Sequence, residues 1–259
     1  MKLYCLDGGY INTEWQFLVA GYRVGEPFKS PMCMFLIDHP KGKVLFDTGL
    51  NIACADDPYK YYSPEILGPY KPVMTEDQAA KNVIAKAGYK PEDIDYVVIS
   101  HLHFDHTGGV GDFPNATYIV HQRELEYAYN PPAYQLSAYL RKDFDGKGIE
   151  WYVLRGALDG GYDLFDDDTI RLYLTPGHTA GHMSMRVKLP KTGPVMLTQD
   201  ACYTTVNLAG KLPGLMDHAE ATLISTKFFQ FRQKTGTWIV PGHDPEVWPT
   251  LKKAPEYYD

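Results

Sequence analysis

The residues with the clearest chemical potential lie at positions 100–109, which read Ser-His-Leu-His-Phe-Asp-His-Thr-Gly-Gly. Three histidines and one aspartate fall within six residues, directly after the apolar run Tyr-Val-Val-Ile at positions 96–99. Imidazole nitrogens and carboxylate oxygens are ligands that Zn²⁺ and related divalent metals accept. A turn rich in solvated histidine explains one such residue, but it is a poor explanation for four ligand-type side chains at this spacing. The cluster predicts a metal site.

Four other segments also place a ligand-type side chain where a predicted strand ends. These are Asp47 after residues 44–46, His178 after residues 170–174, Asp200 after residues 195–198 and His243 after residues 238–240. Strand ends that meet at one edge of a sheet are where α/β enzymes build their sites. We therefore expect these side chains to converge on the His-x-His-x-Asp-His cluster.

The elements that must position these side chains follow from the apolar spacing. Apolar runs at residues 32–38 and 43–46 flank a His-Pro-Lys-Gly turn, which predicts a β-hairpin. A helix is expected from Thr75, because its capping-box pattern with Gln78 precedes apolar residues at helical spacing up to Gly88. This helix leads into the strand that carries the histidine cluster.

Two later segments also have a helical pattern. Residues 123–144 are divided by Pro131-Pro132, so two short helices are expected there. Residues 220–233 predict a helix with one apolar face, which contains Leu223, Ile224, Lys227, Phe228 and Phe231.

Residues 9–28 and 51–72 are rich in aromatic side chains but show no clear period that would continue a regular core strand. Such segments near a metal site can form an apolar groove for a substrate tail, or a dimer contact. Ordinary packing beneath a loop is an equal alternative. If the groove exists, Trp15 and Phe17 are the candidate contacts for the tail.

Composition limits the possible classes of protein. A chain of 259 residues with 44% hydrophobic content can bury a sizeable core, and we expect one domain over residues 1–259. The formal net charge of −7, without a run of Lys or Arg, argues against a nucleic-acid partner. No signal peptide and no membrane span of about 18 apolar residues is evident, which favours a cytoplasmic protein without a membrane partner. The four scattered cysteines indicate reduced thiols.

The order of these motifs resembles that of the metallo-β-lactamase superfamily, over residues 35–243. That superfamily carries an early strand-end aspartate, His-x-His-x-Asp-His, a later Gly-His, a bridging aspartate and a final Gly-His. The resemblance implies an α/β fold, an αββα sandwich of the metallo-β-lactamase type. It also implies two divalent ions per chain, one held by His101, His103 and His178, the second by Asp105, His106 and His243, with Asp200 bridging both.

Within the superfamily the chain resembles the N-acyl-homoserine lactonases, which share its length and carry a tyrosine three residues after the bridging aspartate. Tyr203 occupies that place. The resemblance implies a hydrolase that opens the lactone ring of a small molecule with an acyl tail. Two cations, with zinc favoured and Fe, Co or Mn also compatible, can share a bridging hydroxide whose conjugate water has a pKa of roughly 7. Tyr203 would then stabilise the oxyanion, and Asp105 or Asp200 would pass the proton.

Other functions stay open. The same fold could hydrolyse γ-butyrolactone or another lactone, a thioester as in glyoxalase II-like enzymes, a β-lactam or a phosphodiester. Tyr203 favours the lactonase, and the negative net charge of the chain disfavours a phosphodiesterase. An aspartate at position 200 disfavours the β-lactamases in which a cysteine binds the metal. A metal-binding scaffold without activity predicts lost ligands, yet all seven expected positions are filled. Both a monomer and a homodimer are compatible with the sequence.

Asp47 lies outside the implied ligand set and has two interpretations. Metal-bound imidazoles usually donate their second ring N–H to a carboxylate or a carbonyl, so Asp47 could orient a ligand. An aspartate in Asp-Thr-Gly can equally cap its own turn. His182 also follows a glycine, but the resemblance assigns the ligand role to His178.

Overall fold

Seven strands form the first of two sheets in the computed structural model, which describes residues 1–146, 148–157 and 160–259. Their bounds are β1 Lys2–Glu14, β2 Pro27–His39, β3 Gly42–Phe46, β4 Lys71–Val73, β5 Tyr96–Val98, β6 Thr117–His121 and β7 Trp151–Leu154. The order across the sheet is β4-β1-β2-β3-β5-β6-β7. Strands β3, β5, β6 and β7 run parallel to one another. The parallel strands β3 and β5 therefore end at the same edge of this sheet.

The second sheet is built from the later half of the chain. Its strands in the described residues are β8 Tyr162–Asp163, β9 Ile170–Leu174, β10 Met183–Leu189, β11 Gly193–Leu197 and β12 Trp238–Val240. They lie in the order β12-β11-β10-β9-β8, and only the pairing of β11 with β12 is parallel. One buried cluster contains Phe35 and Val98 from the first sheet together with Met185 and Leu197 from the second. The two sheets therefore pack face to face.

Helices cover the outer faces of both sheets. Their bounds are α1 Trp15–Leu18, α2 Pro64–Leu67, α3 Ala80–Val83, α4 Gln122–Tyr129, α5 Arg141–Phe144, α6 Thr205–Leu208 and α7 Ala219–Lys234. Val83 of α3 packs with Leu45 on the outside of the first sheet, and Phe229 of α7 packs with Met196 on the outside of the second. This is the expected αββα arrangement. Among the described residues, none of the helices has the length and apolar character needed to cross a membrane.

Several short 3₁₀ helices connect these elements. Their bounds are Ile52–Ala55, Pro58–Lys60, Glu76–Gln78, Ile84–Ala87, Pro91–Asp93, Leu136–Ala138, Gln199–Ala201 and Trp248–Thr250. The helix expected from Thr75 is therefore three short helical pieces up to Gly88, with the Gln78 side chain accepting a hydrogen bond from the Thr75 backbone N–H at 3.0 Å. The β2–β3 hairpin and the break at Pro131-Pro132 are confirmed.

The absence of a regular strand in residues 9–28 is a wrong prediction. Strand β1 continues to Glu14 and pairs with β2 as far as Pro27, and α1 follows it at once. The register between β1 and β2 shifts between Asp7 and Tyr10, at the Gly-Gly pair. A bulge of this kind adds a residue to one strand and interrupts the alternation that identifies a strand in a sequence. Residues 51–72 are ordered, with short helices and β4.

The predicted apolar face of α7 is also wrong, although the helix itself is confirmed. Its buried residues are Thr222, Ser225, Thr226 and Phe229, while Ile224 and Phe231 are 63% and 62% exposed. The buried hydroxyls are satisfied within the fold: those of Thr222 and Thr226 donate to carbonyls one turn earlier, and that of Ser225 donates to the Pro176 carbonyl at 2.8 Å. Polar groups whose hydrogen bonds are all made within the protein can be buried with little loss of folding free energy. Their small size lets α7 approach the turn that carries His178.

Candidate metal centre

The His-x-His-x-Asp-His turn leaves β5 and packs directly against the end of β3. The backbone N–H of Thr48 donates to the His106 carbonyl at 2.9 Å, and that of Gly108 donates to the Gly49 carbonyl at 2.8 Å. A Cβ atom added at Gly108 would lie 2.0 Å from the Asn51 nitrogen. The glycine in this turn is needed because two backbone segments touch there. This contact fixes the four ligand-type side chains relative to the first sheet.

The three remaining candidate ligands come from loops that follow strands of the second sheet. His178 lies in the loop after β9, which is closed by a hydrogen bond from Thr175 N to the His182 carbonyl at 2.8 Å. Asp200 lies in the 3₁₀ helix after β11, and His243 follows β12. The His243 N–H donates to the Tyr203 carbonyl at 2.9 Å, which joins the last two loops. As predicted from their strand-end positions, all these side chains meet at one edge of the sandwich.

The structure brings six of the seven candidate ligands into two groups of three. In the first group, the Nε2 atom of His178 lies 3.0 Å from the Nε2 atom of His101 and 3.0 Å from the Nδ1 atom of His103. In the second group, the ligand atoms of Asp105, His106 and His243 all lie within 4.8 Å of one another. These are the two groups of three implied by the resemblance.

Asp200 lies between the two groups. Its Oδ1 atom is 2.9 Å from His243 Nε2 and 3.1 Å from His106 Nε2. Its Oδ2 atom is 3.4 Å from His178 Nε2 and 3.8 Å from His101 Nε2. Each oxygen of one carboxylate therefore faces a different group of ligand atoms.

The geometry of the first group fits a tetrahedral metal ion. Ligand atoms about 2.0–2.1 Å from a tetrahedral zinc ion lie about 3.3 Å from one another. The imidazole nitrogens of His101, His103 and His178 approach to 3.0 Å, close to that value. Nitrogen lone pairs that face one another repel, and a shared cation converts the repulsion into attraction. The donor set is therefore suited to a metal of the zinc type.

Each of the five histidines makes a hydrogen bond with the ring nitrogen that faces away from the centre. The partners are Ser100 Oγ for His101 at 3.0 Å, Gln135 Oε1 for His103 at 2.9 Å, Asp47 Oδ2 for His106 at 2.8 Å, Tyr203 Oη for His178 at 2.8 Å and the Pro31 carbonyl for His243 at 2.8 Å. Carboxylate and carbonyl oxygens can only accept, so in those pairs the outward nitrogen carries the proton. The inward nitrogen is then left with a free lone pair for a metal.

Asp47 orients a candidate ligand. Its buried carboxylate accepts the Nδ1–H of His106 at 2.8 Å, and it accepts the N–H and the hydroxyl of Ser100 at 2.7 Å each. These partners lie 59 and 53 positions further along the chain, so the bonds are not those of a local turn cap. Gln199 Nε2 also donates to this carboxylate. Of the two interpretations of Asp47, the geometry supports the ligand-orienting one.

Burial and charge together decide the protonation of the centre. Burial lowers the pKa of His101 and of His178 well below the usual value for histidine. Burial disfavours the charge on Asp200, but the neighbouring imidazoles of His243, His106 and His101 hold the pKa of its carboxyl group well below the usual range. Burial also opposes the charge on His106 and His243, but the carboxylates of Asp200 and Asp105 raise the pKa of both rings above the usual value for histidine. His101 and His178 are therefore neutral at neutral pH and ready to bind a metal ion, whereas an ion bound by His106 and His243 has to displace protons from their inward nitrogens, because metal ligands must be deprotonated.

Tyr203 lines a cavity of about 200 Å³ together with five of the seven candidate ligands. Burial raises the pKa of its phenol well above the usual value, so the hydroxyl keeps its proton at neutral pH. The cavity floor includes His103, Asp105, His178, Asp200, Tyr203 and His243. Its apolar wall is formed by Ile11, Leu18, Tyr70, Phe104, Leu215 and Met216. A polar reacting group and an apolar tail can thus be accommodated together.

The aromatic segments contribute to this cavity through other residues than expected. Residues 9–28 supply Ile11 and Leu18, and residues 51–72 supply Tyr70. Trp15 instead packs edge-on against Phe28, with ring centroids 4.6 Å apart, and neither it nor Phe17 is among the described residues that line the cavity. The expectation that Trp15 and Phe17 contact a tail is not supported by this geometry, because the short helix α1 directs Trp15 into a buried cluster.

Glu124 is a structural link that the sequence analysis missed. Its fully buried carboxylate accepts hydrogen bonds from Leu102 N at 2.9 Å, Thr179 Oγ1 at 2.6 Å and Gly181 N at 3.2 Å. It therefore ties the turn of His101 and His103 to the loop of His178. The signal in the sequence was weak, since a glutamate in the first turn of a helix is ordinarily a surface residue.

Two neighbouring residues fall outside the ligand groups. The Nδ1 atom of His182 lies 3.0 Å from the Thr175 hydroxyl, and His182 is absent from the groups of described residues that could hold a metal. Cys202 is fully buried, and burial raises the pKa of its thiol far above the usual value. A thiol that stays protonated is a poor nucleophile and a poor metal ligand. Cys202 thus acts as a packing residue.

Comparison with known proteins gives full-length relatives. The family model described as the metallo-beta-lactamase superfamily matches residues 33–243. The N-acyl homoserine lactonase AttM of Azorhizobium caulinodans is 41% identical, over 100% of this chain and 99% of that protein. AttM of Agrobacterium fabrum is 40% identical, over 100% of this chain and 98% of that protein. The N-acyl homoserine lactonase AiiA of Bacillus thuringiensis subsp. kurstaki is 29% identical, over 99% of this chain and 98% of that protein.

Solved structures agree with this relationship. An N-acyl homoserine lactone hydrolase with the product N-hexanoyl-L-homoserine bound at its catalytic metal centre superposes with a TM-score of 0.88 and 29% identity, covering 99% of this chain and 98% of that chain. A mutant of B. thuringiensis AiiA with N-decanoyl-L-homoserine bound at its active site gives a TM-score of 0.88 and 28% identity over the same shares. The family match over residues 33–243 and the full-length relatives agree with the two-sheet fold, and the chain belongs to the metallo-β-lactamase superfamily.

Proposed function

We propose that residues 1–259 form one hydrolase domain that opens the lactone ring of N-acyl-homoserine lactones to give N-acyl-homoserines. The observation that carries this proposal is the position of Asp200, which faces two groups of ligand atoms at the floor of an apolar-walled cavity. The 41% identity to an N-acyl homoserine lactonase over the whole chain supports the substrate class. The similar structure that holds N-hexanoyl-L-homoserine at its metal centre supports the same choice.

In this proposal the chain holds two divalent ions. His101, His103 and His178 hold one, Asp105, His106 and His243 hold the other, and Asp200 contacts both. Zinc suits this donor set, and Fe, Co or Mn can replace it, because affinity and availability together decide the metal. When bound, such a pair supplies Lewis acidity and a bridging hydroxide formed from a water whose pKa is lowered to roughly 7.

Tyr203 acts as the hydrogen-bond donor to the substrate carbonyl. The Nε2 atom of His178 belongs to the ligand group, so its Nδ1 atom carries the proton and donates to Tyr203 Oη, 2.8 Å away. The phenol oxygen is then an acceptor towards His178, and its own proton is directed at the Asp200 carboxylate. A substrate carbonyl in the cavity would take over this hydrogen bond, and a donor already held beside the reacting group stabilises the developing oxyanion.

Asp105 and Asp200 are the candidates for proton transfer to the leaving alkoxide. The side chain of Asp105 is 14% exposed and lines the cavity, whereas that of Asp200 is 5% exposed with both oxygens directed at imidazoles. Asp105 is therefore the better placed of the two to reach a leaving group. Asp200 chiefly maintains the spacing of the two ligand groups.

The substrate assignment predicts a specific product. The purified protein should hydrolyse N-acyl-homoserine lactones faster than a thioester, a β-lactam or a phosphodiester, because the cavity joins an apolar wall to the donor of Tyr203. Mass spectrometry and titration of the released acid should show one new carboxylate with the amide intact. Release of free fatty acid and homoserine lactone would mean amide cleavage and would refute the lactonase assignment.

The metal assignment predicts two ions per chain, measured by elemental analysis after incubation with excess metal and desalting. Replacing Asp200 by Asn should weaken both sites, because its oxygens face both groups, whereas His178→Asn should chiefly empty one site. His218→Asn is the matched control, since that histidine lies at the start of α7 and outside the ligand groups. A stoichiometry that stays near one in the unaltered protein would contradict a dinuclear centre.

The role of Tyr203 predicts that Tyr203→Phe lowers kcat/KM by roughly ten- to a thousandfold, the range for losing one oxyanion donor. The phenol also accepts the outward N–H of His178, so the affinity of the first site for its ion should fall as well. The kinetics are therefore compared at saturating zinc, where elemental analysis should show the same metal content in both proteins. Tyr118→Phe is the control: it also removes a buried hydroxyl, which bonds Gly111 and Phe113 away from the cavity. That control should lose stability in urea but keep its activity. Equal kinetics of Tyr203→Phe and unaltered protein would leave Tyr203 as a packing residue.

The cavity wall predicts a dependence on tail length. Lactones with medium or long acyl tails should have a higher kcat/KM than unsubstituted γ-butyrolactone, because each buried methylene contributes about 0.8 kcal/mol at most. Leu215→Ala should lower kcat/KM for the long-tailed substrate by about three- to tenfold and spare γ-butyrolactone. Leu223→Ala is the matched control, since these two leucines are 38% and 39% exposed and only Leu215 lines the cavity. Equal losses on both substrates would place the tail elsewhere.

A further inference from the structure

Gln135 links two of the candidate ligands through one side chain. It lies between α4 and α5, in a segment without a metal-binding motif, and it is 7% exposed. Its Oε1 atom is 2.9 Å from His103 Nε2, and its Nε2 atom donates to the His178 carbonyl at 3.2 Å. Gln135 also lines the cavity. One amide therefore contacts the turn of His103, the loop of His178 and the cavity.

These two hydrogen bonds define the tautomer of His103. The His178 carbonyl can only accept a hydrogen bond, so the amide nitrogen of Gln135 must face it and the amide oxygen must face His103. The Nε2 atom of His103 then has to carry the proton. Its Nδ1 atom is left with the free lone pair, 3.0 Å from His178 Nε2.

His103 differs in this respect from the other four histidines of the centre. In His101, His106, His178 and His243 the Nδ1 atom faces outward to a partner and the Nε2 atom faces the centre. Only His103 is reversed among these described residues, with Nε2 outward to Gln135 and Nδ1 inward. A change of tautomer at His103 would therefore remove the lone pair from the atom that the first group needs.

We propose that Gln135 is a positioning residue that fixes the Nε2–H tautomer of His103 and holds His103 and His178 as a pair, so that the first metal site is formed. This inference rests on the dinuclear centre of the proposed function. Partners of this kind usually change metal affinity by about 10–100-fold.

The segment that carries Gln135 is itself anchored on both sides. The Phe104 N–H donates to the Ala138 carbonyl at 2.9 Å, which joins the segment to the histidine turn. The Tyr134 hydroxyl donates to Asp217 Oδ1 at 2.6 Å, which joins it to the residues before α7. These contacts hold the Gln135 side chain against the ligands.

Two variants separate the two hydrogen bonds of Gln135. Gln135→Leu removes both, whereas Gln135→Glu keeps an oxygen that accepts from His103 and loses the donor to the His178 carbonyl. Gln122→Leu is the matched control, because Gln122 bonds Glu126 and Arg155 on the surface of α4. Competition with a chelator measures the affinity of each zinc ion. Gln135→Leu should weaken the binding of one ion by about 10–100-fold and leave the other unchanged. Gln135→Glu should weaken the binding of the same ion by a smaller factor, because it loses only the hydrogen bond to the His178 carbonyl. Gln122→Leu should keep both affinities near the native values.

A second measurement reports the tautomer directly and does not depend on activity. In zinc-loaded protein with ¹⁵N-labelled histidine, long-range ¹H–¹⁵N correlation spectra distinguish an Nδ1–H ring from an Nε2–H ring. The unaltered protein should show one Nε2–H ring among the five histidines of the centre, and Gln135→Glu should retain it. In Gln135→Leu this signal should be lost or should exchange rapidly with solvent.

Unchanged zinc affinity together with an unchanged Nε2–H signal in Gln135→Leu would overturn the role of Gln135. An equal loss of affinity for both ions in Gln135→Leu would also overturn it, because the two hydrogen bonds of Gln135 contact only His103 and His178 of the first group. Neither measurement uses a lactone. A protein that binds two zinc ions but hydrolyses no lactone would therefore refute the proposed substrate and would leave the result on Gln135 unaffected.

Discussion

The central constraint on this protein is the close approach of five imidazoles and two carboxylates at one site inside the fold. Each imidazole must keep a lone pair on the inward nitrogen, so its outward nitrogen needs a partner from elsewhere in the fold. These partners come from widely separated segments: Pro31 on β2, Asp47 after β3, Ser100 after β5, Gln135 between α4 and α5, and Tyr203 after β11. The two-sheet sandwich brings these segments to one edge.

In the proposed function, the residues for hydrolysis and the residues for substrate selectivity lie in different parts of the cavity at that edge of the sandwich. The seven candidate ligands and Tyr203 would act on a carbonyl group in any substrate that reaches them. The wall of Ile11, Leu18, Tyr70, Phe104 and Leu215 would instead contact the group attached to that carbonyl. Because these residues come from β1, α1, the turn after β5 and loops outside the sheets, the wall can change while the metal centre stays the same.

The sequence predicted the candidate ligands better than their supports. His101, His103, Asp105 and His106 are visible because their spacing is local, and His178, Asp200 and His243 because each follows an apolar run and matches a family motif. Gln135 and Glu124 could not be recognised, since their roles depend on contacts with residues 22 to 57 positions away in the chain. The face of α7 was mistaken because satisfied hydroxyls, rather than apolar side chains, made the buried side. Leu18 was missed in favour of Trp15 because packing against Phe28 decided how α1 is rotated.

The division of the ligands between the two sheets has a consequence for how the protein matures during synthesis. Residues 101–106 leave the ribosome with the first sheet, whereas His178, Asp200 and His243 come from the second sheet, and β12 pairs with β11 only after α7 has been made. An ion captured by the nascent chain meets at most the four early ligands. The seven candidate ligands come together only after the second sheet has docked, so binding of metal by the whole set would be a late step that requires a correctly assembled sandwich.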